Sequence, residues 1–346
     1  MNPLIWSLLI TTLATSTIIT MSSNLWLLAW LGLELNTLSI LPILIKPHHP
    51  RATEATIKYF LIQAAAATLI LCTSTMNAWQ TGQWSVMSPL SPGSTAMLTV
   101  AIMLKLGLAP AHLWYPEVMQ GLTMTTALMM ATWQKIAPLT LLYFIHNHLN
   151  TNALMTIGLT SALVGGLAGL NQTQTRKLMA FSSISHMGWM MAALAVSPSL
   201  TTLTMITYIT MTTSMFLALS TTMAKTIKDL GTTWPQSPTL LTTTALSLMS
   251  LGGLPPLTGF MPKLLIIKEL TTTPLPLYST LLLMSSLPSL YFYIRLAYVT
   301  TLTTPPATTN IKHKWRFKTN IMPSTTVMTV ATLLLLPMAM VLYNTT

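Results

Sequence analysis

Four ionisable residues, Glu34, Lys105, Lys135 and Lys263, lie inside long apolar stretches of a chain that is only 6% charged. An ionised side chain at the middle of a bilayer costs roughly 2.5–3.5 kcal/mol even on the lenient insertion scales. Four unpaired ones would cost on the order of 10 kcal/mol, comparable to the whole net stability of a typical domain. Such groups persist in hydrocarbon when they are paired or when they are used. Desolvation disfavours the ionised form of both residue types, so a modest change in a neighbouring charge can load or release a proton. These residues therefore point to proton or ion handling, with pairing between helices or subunits as the alternative. His186, also inside an apolar stretch, is either a further relay group or a satisfied core histidine.

The elements that must position these groups are transmembrane helices. Of 346 residues, 52% are hydrophobic and five are acidic. Apolar runs of about twenty residues recur from end to end, the mark of an all-α polytopic membrane protein. The pattern predicts about eleven spans, near residues 3–21, 24–45, 57–79, 95–120, 122–145, 150–170, 175–195, 199–224, 239–270, 276–300 and 323–343. Glu34 and Lys105 then stand about ten residues into the second and fourth spans, Lys135 about thirteen into the fifth, and His186 about eleven into the seventh. At 1.5 Å per residue each is roughly 15 Å from either surface, too deep for a lysine stem to snorkel. A row of ionisable groups at one depth is expected.

Loop charge sets the orientation. Lys46, Arg51 and Lys58 follow the second span, Arg176 and Lys177 the sixth, Lys225 and Lys228 the eighth, and Lys312, Lys314, Arg316 and Lys318 the tenth. The loops after spans one, three, five and seven carry none, and the loop after the ninth has only Lys268 beside Glu269. The positive-inside rule puts the even loops and the N-terminus on the matrix or cytoplasmic side and the C-terminus opposite. The net charge of +11 is thus topological. Its basic residues are scattered, without the aromatic-lined basic face that nucleic acid requires.

Residues 106–117 (LGLAPAHLWYPE) and 252–263 (GGLPPLTGFMPK) align without gaps at an offset of 146. Gly107, Leu108, Pro110 and Pro116 match Gly253, Leu254, Pro256 and Pro262, and Trp114 matches Phe260. Proline removes a backbone donor and clashes with the preceding turn, so the fourth and ninth spans are predicted to break near mid-membrane. Backbone groups freed there need cover from protein or a wet cavity. Broken helices five spans apart cross in opposite directions. Residues 3–145 and 150–300 therefore read as inverted five-helix repeats, an arrangement typical of ion-coupled transporters, with helix 323–343 appended. Gly165 and Gly169 read as helix packing, and Trp26, Trp30, Trp79 and Trp84 as interfacial anchors or packing. Glu117 reads as an interfacial residue, and His48, His49 and His313 as surface groups.

The single cysteine, Cys72, excludes a disulfide framework and a chain-autonomous iron–sulfur or zinc site. No G-x-G-x-x-G follows a strand, and there is no P-loop and no H-E-x-x-H. The N-terminal MNPLIW runs directly into a span, so no cleavable signal is expected. Abundant methionine (26) and threonine beside scarce charge is a bias common in proteins encoded by mitochondrial genomes.

On these residues, a stand-alone cation/proton antiporter, a subunit of a larger proton-translocating assembly and a structural scaffold all stay open. Several segments carry a resemblance: the MNP start, LAWLGLELNTLSILPIL around Glu34, KPHHPRATEATIKYFL, and MLKLGLAPAHLWYPEV around Lys105. LNQTQTRKLMAFSSISHMGWM around His186 and LGGLPPLTGFMPK ending at Lys263 complete it. Together they resemble the subunit 2 family of mitochondrial NADH dehydrogenase, the antiporter-like membrane subunits of respiratory complex I, over essentially the whole chain. The resemblance implies an antiporter-like fold in the mitochondrial inner membrane and a part in NADH:ubiquinone oxidoreduction coupled to proton translocation. It implies a Glu34–Lys105 gating pair, Lys135 as central relay, Lys263 as distal site and His186 in the same path. It also implies that this chain holds no cofactor, with NADH, FMN, iron–sulfur clusters and ubiquinone bound by other subunits. Expected partners are the other membrane-arm and accessory subunits and phospholipids including cardiolipin. Sister antiporter-like subunits carry a glutamate at the distal site, where this sequence has Lys263.

Overall fold

Three helix starts in this chain are written as a capping residue followed by proline. Proline suits the first helical turn because its missing N–H would be unpaired there anyway. Asn2 caps α1 (Pro3–Ser22), accepting from Leu4 N at 3.2 Å; His49 caps α3 (Pro50–Thr81), and Ser91 caps α4 (Pro92–Leu106). Proline likewise opens α10 (Pro198–Thr222) and α12 (Pro238–Gly252). The other helices are α2 (Trp26–Ile45), α5 (Trp114–Gly121), α6 (Met124–Ala131), α7 (Trp133–Ile145), α8 (Thr151–Leu170), α9 (Thr175–Val196) and α11 (Ile227–Gly231). Then follow α13 (Phe260–Thr272), α14 (Pro276–Leu302) and a C-terminal α15 (Pro323–Thr345). The computed structural model describes residues 2–231, 233, 237–302 and 323–345. The basic residues at 312–318, His313 among them, lie outside the described residues.

Eight helical stretches are long and apolar enough to cross a membrane: α1, α2, α3, Met124–His148, α8, α9, α10 and α14. The other three expected spans are the two broken ones and α15. The fourth is α4 and α5 separated by a turn, and the ninth is α12 and α13 separated in the same way. Two boundaries differ from expectation. The third helix is 32 residues long, about 48 Å, because Pro50 starts it two turns earlier than the apolar run suggests. The fifth span is interrupted at Thr132 (φ −112°, ψ −69°), which divides it into α6 and α7.

The chain forms two compact units, Met1–Ile157 and Gly158–Thr346, a boundary inside α8 rather than in the loop before it. In the first, α1, α2 and α3 pack in sequence, α4 and α5 lie on α3, and α7 touches α1, α2 and α4. In the second, α10 packs against α9, α12, α13 and α15, while α14 contacts α9, α12 and α13. Threonine and serine hydroxyls donate to carbonyls three residues back, as Thr17 does to Ala14 O at 2.7 Å and Thr37 to Glu34 O at 2.8 Å. This local bonding keeps hydroxyls satisfied in an apolar setting.

Small residues bring α8 and α9 together. A Cβ added to Gly165 would lie 2.6 Å from Ser185 N and 2.8 Å from Phe181 O, and one on Gly188 would meet Ser161 Oγ at 2.5 Å and Gly158 O at 2.6 Å. Gly169 faces the Phe292 ring of α14 instead, so the Gly165/Gly169 spacing serves packing on two neighbours. The tryptophans divide. Trp26 is buried and Trp30 donates to Ala67 O at 3.0 Å, whereas Trp79 is 90% exposed and Trp84 also reaches the surface. Gly165→Ala is expected to destabilise by about 1–3 kcal/mol, because the new methyl meets backbone that cannot yield. Gly93→Ala, with open space around it, should stay within about 0.5 kcal/mol of wild type. Thermal unfolding of purified protein checks both.

Candidate functional site

The two predicted breaks share one local geometry. Gly107 and Gly253 end their helices in the left-handed region (φ +69° and +83°), which glycine enters without a Cβ clash. In each case the next residue's N–H reaches back five residues, Leu108 N to Met103 O (3.0 Å) and Leu254 N to Met249 O (3.4 Å). Tyr115 leans onto Gly107, where a Cβ would come within 3.2 Å of Tyr115 Cβ. The lysines stand on opposite sides of these breaks. Lys105 is in the last turn of α4, before Gly107, and Lys263 is in the first turn of α13, after Gly253. Lys135 follows the unpredicted interruption, with its N–H bonded to Thr132 O at 3.3 Å. All three lysines therefore adjoin an interrupted helix.

Lys105 and Lys135 meet in one cavity of about 20 Å³ within the first unit, lined also by Tyr59, Gln63, Tyr115 and Gln134. That is room for a single water. Lys105 is buried and its Nζ has no hydrogen-bond partner. The carbonyl it frees at the helix end accepts from Gln63 Nε2 at 3.4 Å. The Lys135 ammonium lies 5.0 Å from the centre of the Tyr115 ring, within cation–π range. A hydrogen-bonded chain of neutral groups forms the wall. Tyr59 donates to Gln134 Oε1 at 3.3 Å, and Gln134 Nε2 donates to Asn36 Oδ1 at 3.1 Å.

Glu34 stands beside this cavity without lining it. The expected Glu34–Lys105 pair is not an ion pair here. Glu34 Oε2 is buried without a hydrogen-bond partner, as is Lys105 Nζ, and no contact within 4.0 Å joins them. The carboxylate is nonetheless near enough to act electrostatically on Lys105 and on Tyr59. From α2 the cavity wall takes Leu33, Asn36 and Thr37.

Lys263 and His186 share a second cavity, in the second unit, also about 20 Å³ and lined by Trp189, Thr207 and Tyr208. Lys263 Nζ donates to Gly252 O at 3.0 Å and lies 5.7 Å from the Trp189 ring centre. The carbonyl it uses is one that the broken helix leaves open. His186 packs on Tyr208, with ring centroids 5.8 Å apart, and its Nε2 is 3.4 Å from Tyr293 Oη. The predicted ionisable groups thus fall into two clusters, one per unit. Among the described residues no group of three or more His, Cys, Asp or Glu side chains converges as a metal site.

Other polar residues of these clusters escaped the sequence reading. Asn36, Gln63 and Gln134 are amides inside apolar runs, a visible signal. Arg295, seven residues before the end of α14, is another: its guanidinium donates to Leu170 O (2.6 Å) and Gln172 O (3.0 Å), closing the C-terminal end of α8. Glu117 instead joins an exposed cluster in which Lys58 Nζ meets Glu117 Oε2 at 2.7 Å and Glu54 Oε1 at 2.8 Å.

Known proteins share the sequence and fold of this chain. The family model described as NADH:quinone oxidoreductase/Mrp antiporter, transmembrane, matches residues 23–290, and that of the NADH dehydrogenase subunit 2 C-terminus matches 290–343. The NADH-ubiquinone oxidoreductase chain 2 of Xenopus laevis is 52% identical over 91% of this chain and 92% of its own length. That of Oncorhynchus mykiss is 52% identical over 98% and 97%. In respiratory complex I from Thermus thermophilus, one chain superposes with a TM-score of 0.81 at 27% identity, covering 95% of this chain and 79% of that one. A chain of the Mrp complex from Dietzia has the same fold, with a TM-score of 0.82 at 14% identity over 97% of this chain and 75% of that one. Broken helices, buried lysines and matched length converge: the chain belongs to the NADH:quinone oxidoreductase/Mrp antiporter membrane family, in its NADH dehydrogenase subunit 2 branch.

Proposed function

We propose that this chain is a membrane-arm subunit of respiratory complex I and moves protons at Lys105, Lys135, His186 and Lys263 under the influence of Glu34. The observation that carries the reading is the pair of small lysine-lined cavities beside broken helices. The Lys105 ammonium has no hydrogen-bond partner and the Lys263 ammonium has the Gly252 carbonyl, a weak acceptor for a charge. The proton of each is therefore sensitive to the charge of a neighbour. Glu34, near Lys105 but not bonded to it, is placed to act as that neighbour. When Glu34 is ionised the Lys105 ammonium is favoured. When Glu34 is neutralised, the proton has a nearby acceptor in Lys135 across the same cavity. At the distal cavity His186 and Lys263 form the corresponding donor and acceptor.

The names of the relatives support NADH:ubiquinone oxidoreduction as the reaction that drives this, with NADH, FMN, iron–sulfur clusters and ubiquinone held by other subunits. The methionine- and threonine-rich composition supports the mitochondrial inner membrane, and loop charge supports a multi-pass chain with its N-terminus in the matrix and its C-terminus in the intermembrane space. Neighbouring membrane-arm and accessory subunits and phospholipids, including cardiolipin, are its proposed surroundings. The matching breaks support reading 3–145 and 150–300 as two copies of one five-helix unit.

Purified complex in proteoliposomes tests the proposal. Lys105→Met and Lys135→Met are each expected to lower coupled turnover by about 10²-fold, the lower end of the range for a positioned acid–base group, in a fully assembled complex. Lys135→Arg keeps the charge but cannot release its proton, so it is expected to fail as Lys135→Met does. Assembled Met variants with wild-type turnover and proton-to-electron ratio would overturn the reading, and proton transport by the isolated chain would point to a stand-alone antiporter. Glu34→Gln should assemble normally and slow coupled turnover, with Glu34→Asp restoring part of it; equal rates for wild type and Glu34→Gln would remove Glu34 from the scheme.

A further inference from the structure

Of the two tyrosines that line the first cavity, Tyr59 belongs to the 32-residue α3 and Tyr115 to α5, a helix of eight residues. About two helical turns do not hold a position by themselves. The chain is not helical on either side: the Gly107 break precedes α5, and Leu122 after it is extended (φ −89°, ψ 161°). What fixes α5 is the face it lays on α3. Three contacts follow one another along that face. Trp114 meets Tyr59 with ring centroids 5.9 Å apart, and Lys58 Nζ donates to Glu117 Oε2 at 2.7 Å. Gly121 sits so close that a Cβ would lie 2.6 Å from Ala55 Cβ and 2.7 Å from Arg51 O. As α5 is followed forward its partners run backward along α3, so the two helices are antiparallel here. Lys58 Nζ also meets Glu54 Oε1, one turn earlier on α3, at 2.8 Å. An isolated exposed ion pair contributes little, because two long side chains must be held in one geometry; a network of charges is the exception. Glu54 makes this a network, steadying the lysine stem from its own helix.

We propose that Lys58, with Glu54 and Glu117, is a positioning residue of the first cavity: a clasp that holds α5 on α3 and so keeps the Tyr115 ring over the Lys135 ammonium. Loop charge assigns the clasp to the matrix side. Glu117 and Tyr115 are two residues apart, about 200° around the helix axis, and so point to opposite sides of α5. Their surroundings agree: the Glu117 side chain is 55% exposed, whereas Tyr115 is 2% exposed with its ring centre 5.0 Å from Lys135 Nζ. A tilt or rotation of α5 at the exposed clasp is therefore a displacement of the ring at the buried lysine. Opening the clasp leaves Tyr115 in the chain but lets its ring leave Lys135, and the ammonium loses the face on which it lies. The packing of Gly121 on α3 sets how close the helices come, and the clasp sets how α5 is turned at that distance.

This inference rests on the first cavity being a proton site, a premise that Lys135→Met tests separately. Proton translocation by the assembled complex in proteoliposomes is measured for Glu117→Gln, Lys58→Gln, the swap of Lys58→Glu with Glu117→Lys, Tyr115→Leu and Lys135→Met. Glu117→Gln and Lys58→Gln are each expected to lower translocation about fivefold, the upper end of what an exposed ion pair contributes, with the KM for NADH and for quinone unchanged. The swap places the cation on α5 against two carboxylates of α3 and should restore most of the wild-type rate. Because the clasp acts through Tyr115, Glu117→Gln should cost nothing further in a Tyr115→Leu background. A pair that served stability alone would add its loss to that of Tyr115→Leu. With Lys135→Met impaired, any of three results overturns the clasp and leaves the proton site standing: wild-type translocation in Glu117→Gln, a swap no better than the single variants, or full additivity with Tyr115→Leu. If Lys135→Met translocates as wild type does, the premise fails and the clasp with it.

Discussion

Everything in this fold answers one constraint: an ammonium group buried in hydrocarbon with no carboxylate bonded to it. An intact helix helps less, because its carbonyls already accept from N–H groups four residues on. A broken helix helps more. At the second break, Gly252 O accepts from Lys263 Nζ at 3.0 Å, a bond made possible because Gly253 turns the chain at φ +83°. At the first break the open carbonyl of Lys105 is instead taken by Gln63, leaving the Lys105 ammonium to the cavity. Proline at helix starts, glycine at helix crossings and hydroxyls bonded to their own backbone all serve to hold these interruptions in an otherwise regular bundle.

The choice of weak acceptors has a functional consequence. A carboxylate in direct contact with a buried lysine would fix the charge, since breaking a buried pair costs about 3–5 kcal/mol. Carbonyls, aromatic faces and single waters hold it far less firmly. Glu34 kept apart from Lys105 can modulate the lysine without trapping it. The neutral wall of Tyr59, Gln134 and Asn36 adds dipoles that are already oriented by their mutual bonds, so little reorganisation accompanies a change of charge.

Much of this was legible in the sequence, and the rest was hidden for definite reasons. The apolar runs marked the helices, and the Gly/Pro repeat marked which two spans break, because glycine and proline act on the backbone locally. The same alignment already put Lys105 opposite Leu251 and Lys263 opposite Glu117, and so on different sides of the two breaks. The interruption at Thr132 carried no such mark, since threonine is an ordinary helix residue in this chain. Grouping the lysines by cavity was also out of reach: Lys105 and Lys135 become neighbours through the packing of α4 on α7, a contact between helices rather than a spacing. Depth along a helix was readable, but direction around it was not, which is why Glu34 looked like a bonded partner of Lys105.

The central claim is that these buried lysines change protonation during turnover rather than only feeling a passing charge. Infrared difference spectroscopy on the assembled complex, with lysine labelled by nitrogen-15, measures this directly. The account predicts isotope-sensitive ammonium bands that appear and disappear between resting and turning-over enzyme, diminished in Lys105→Met and Lys135→Met. Lysine bands that stay constant through turnover, with protons still pumped, would contradict it.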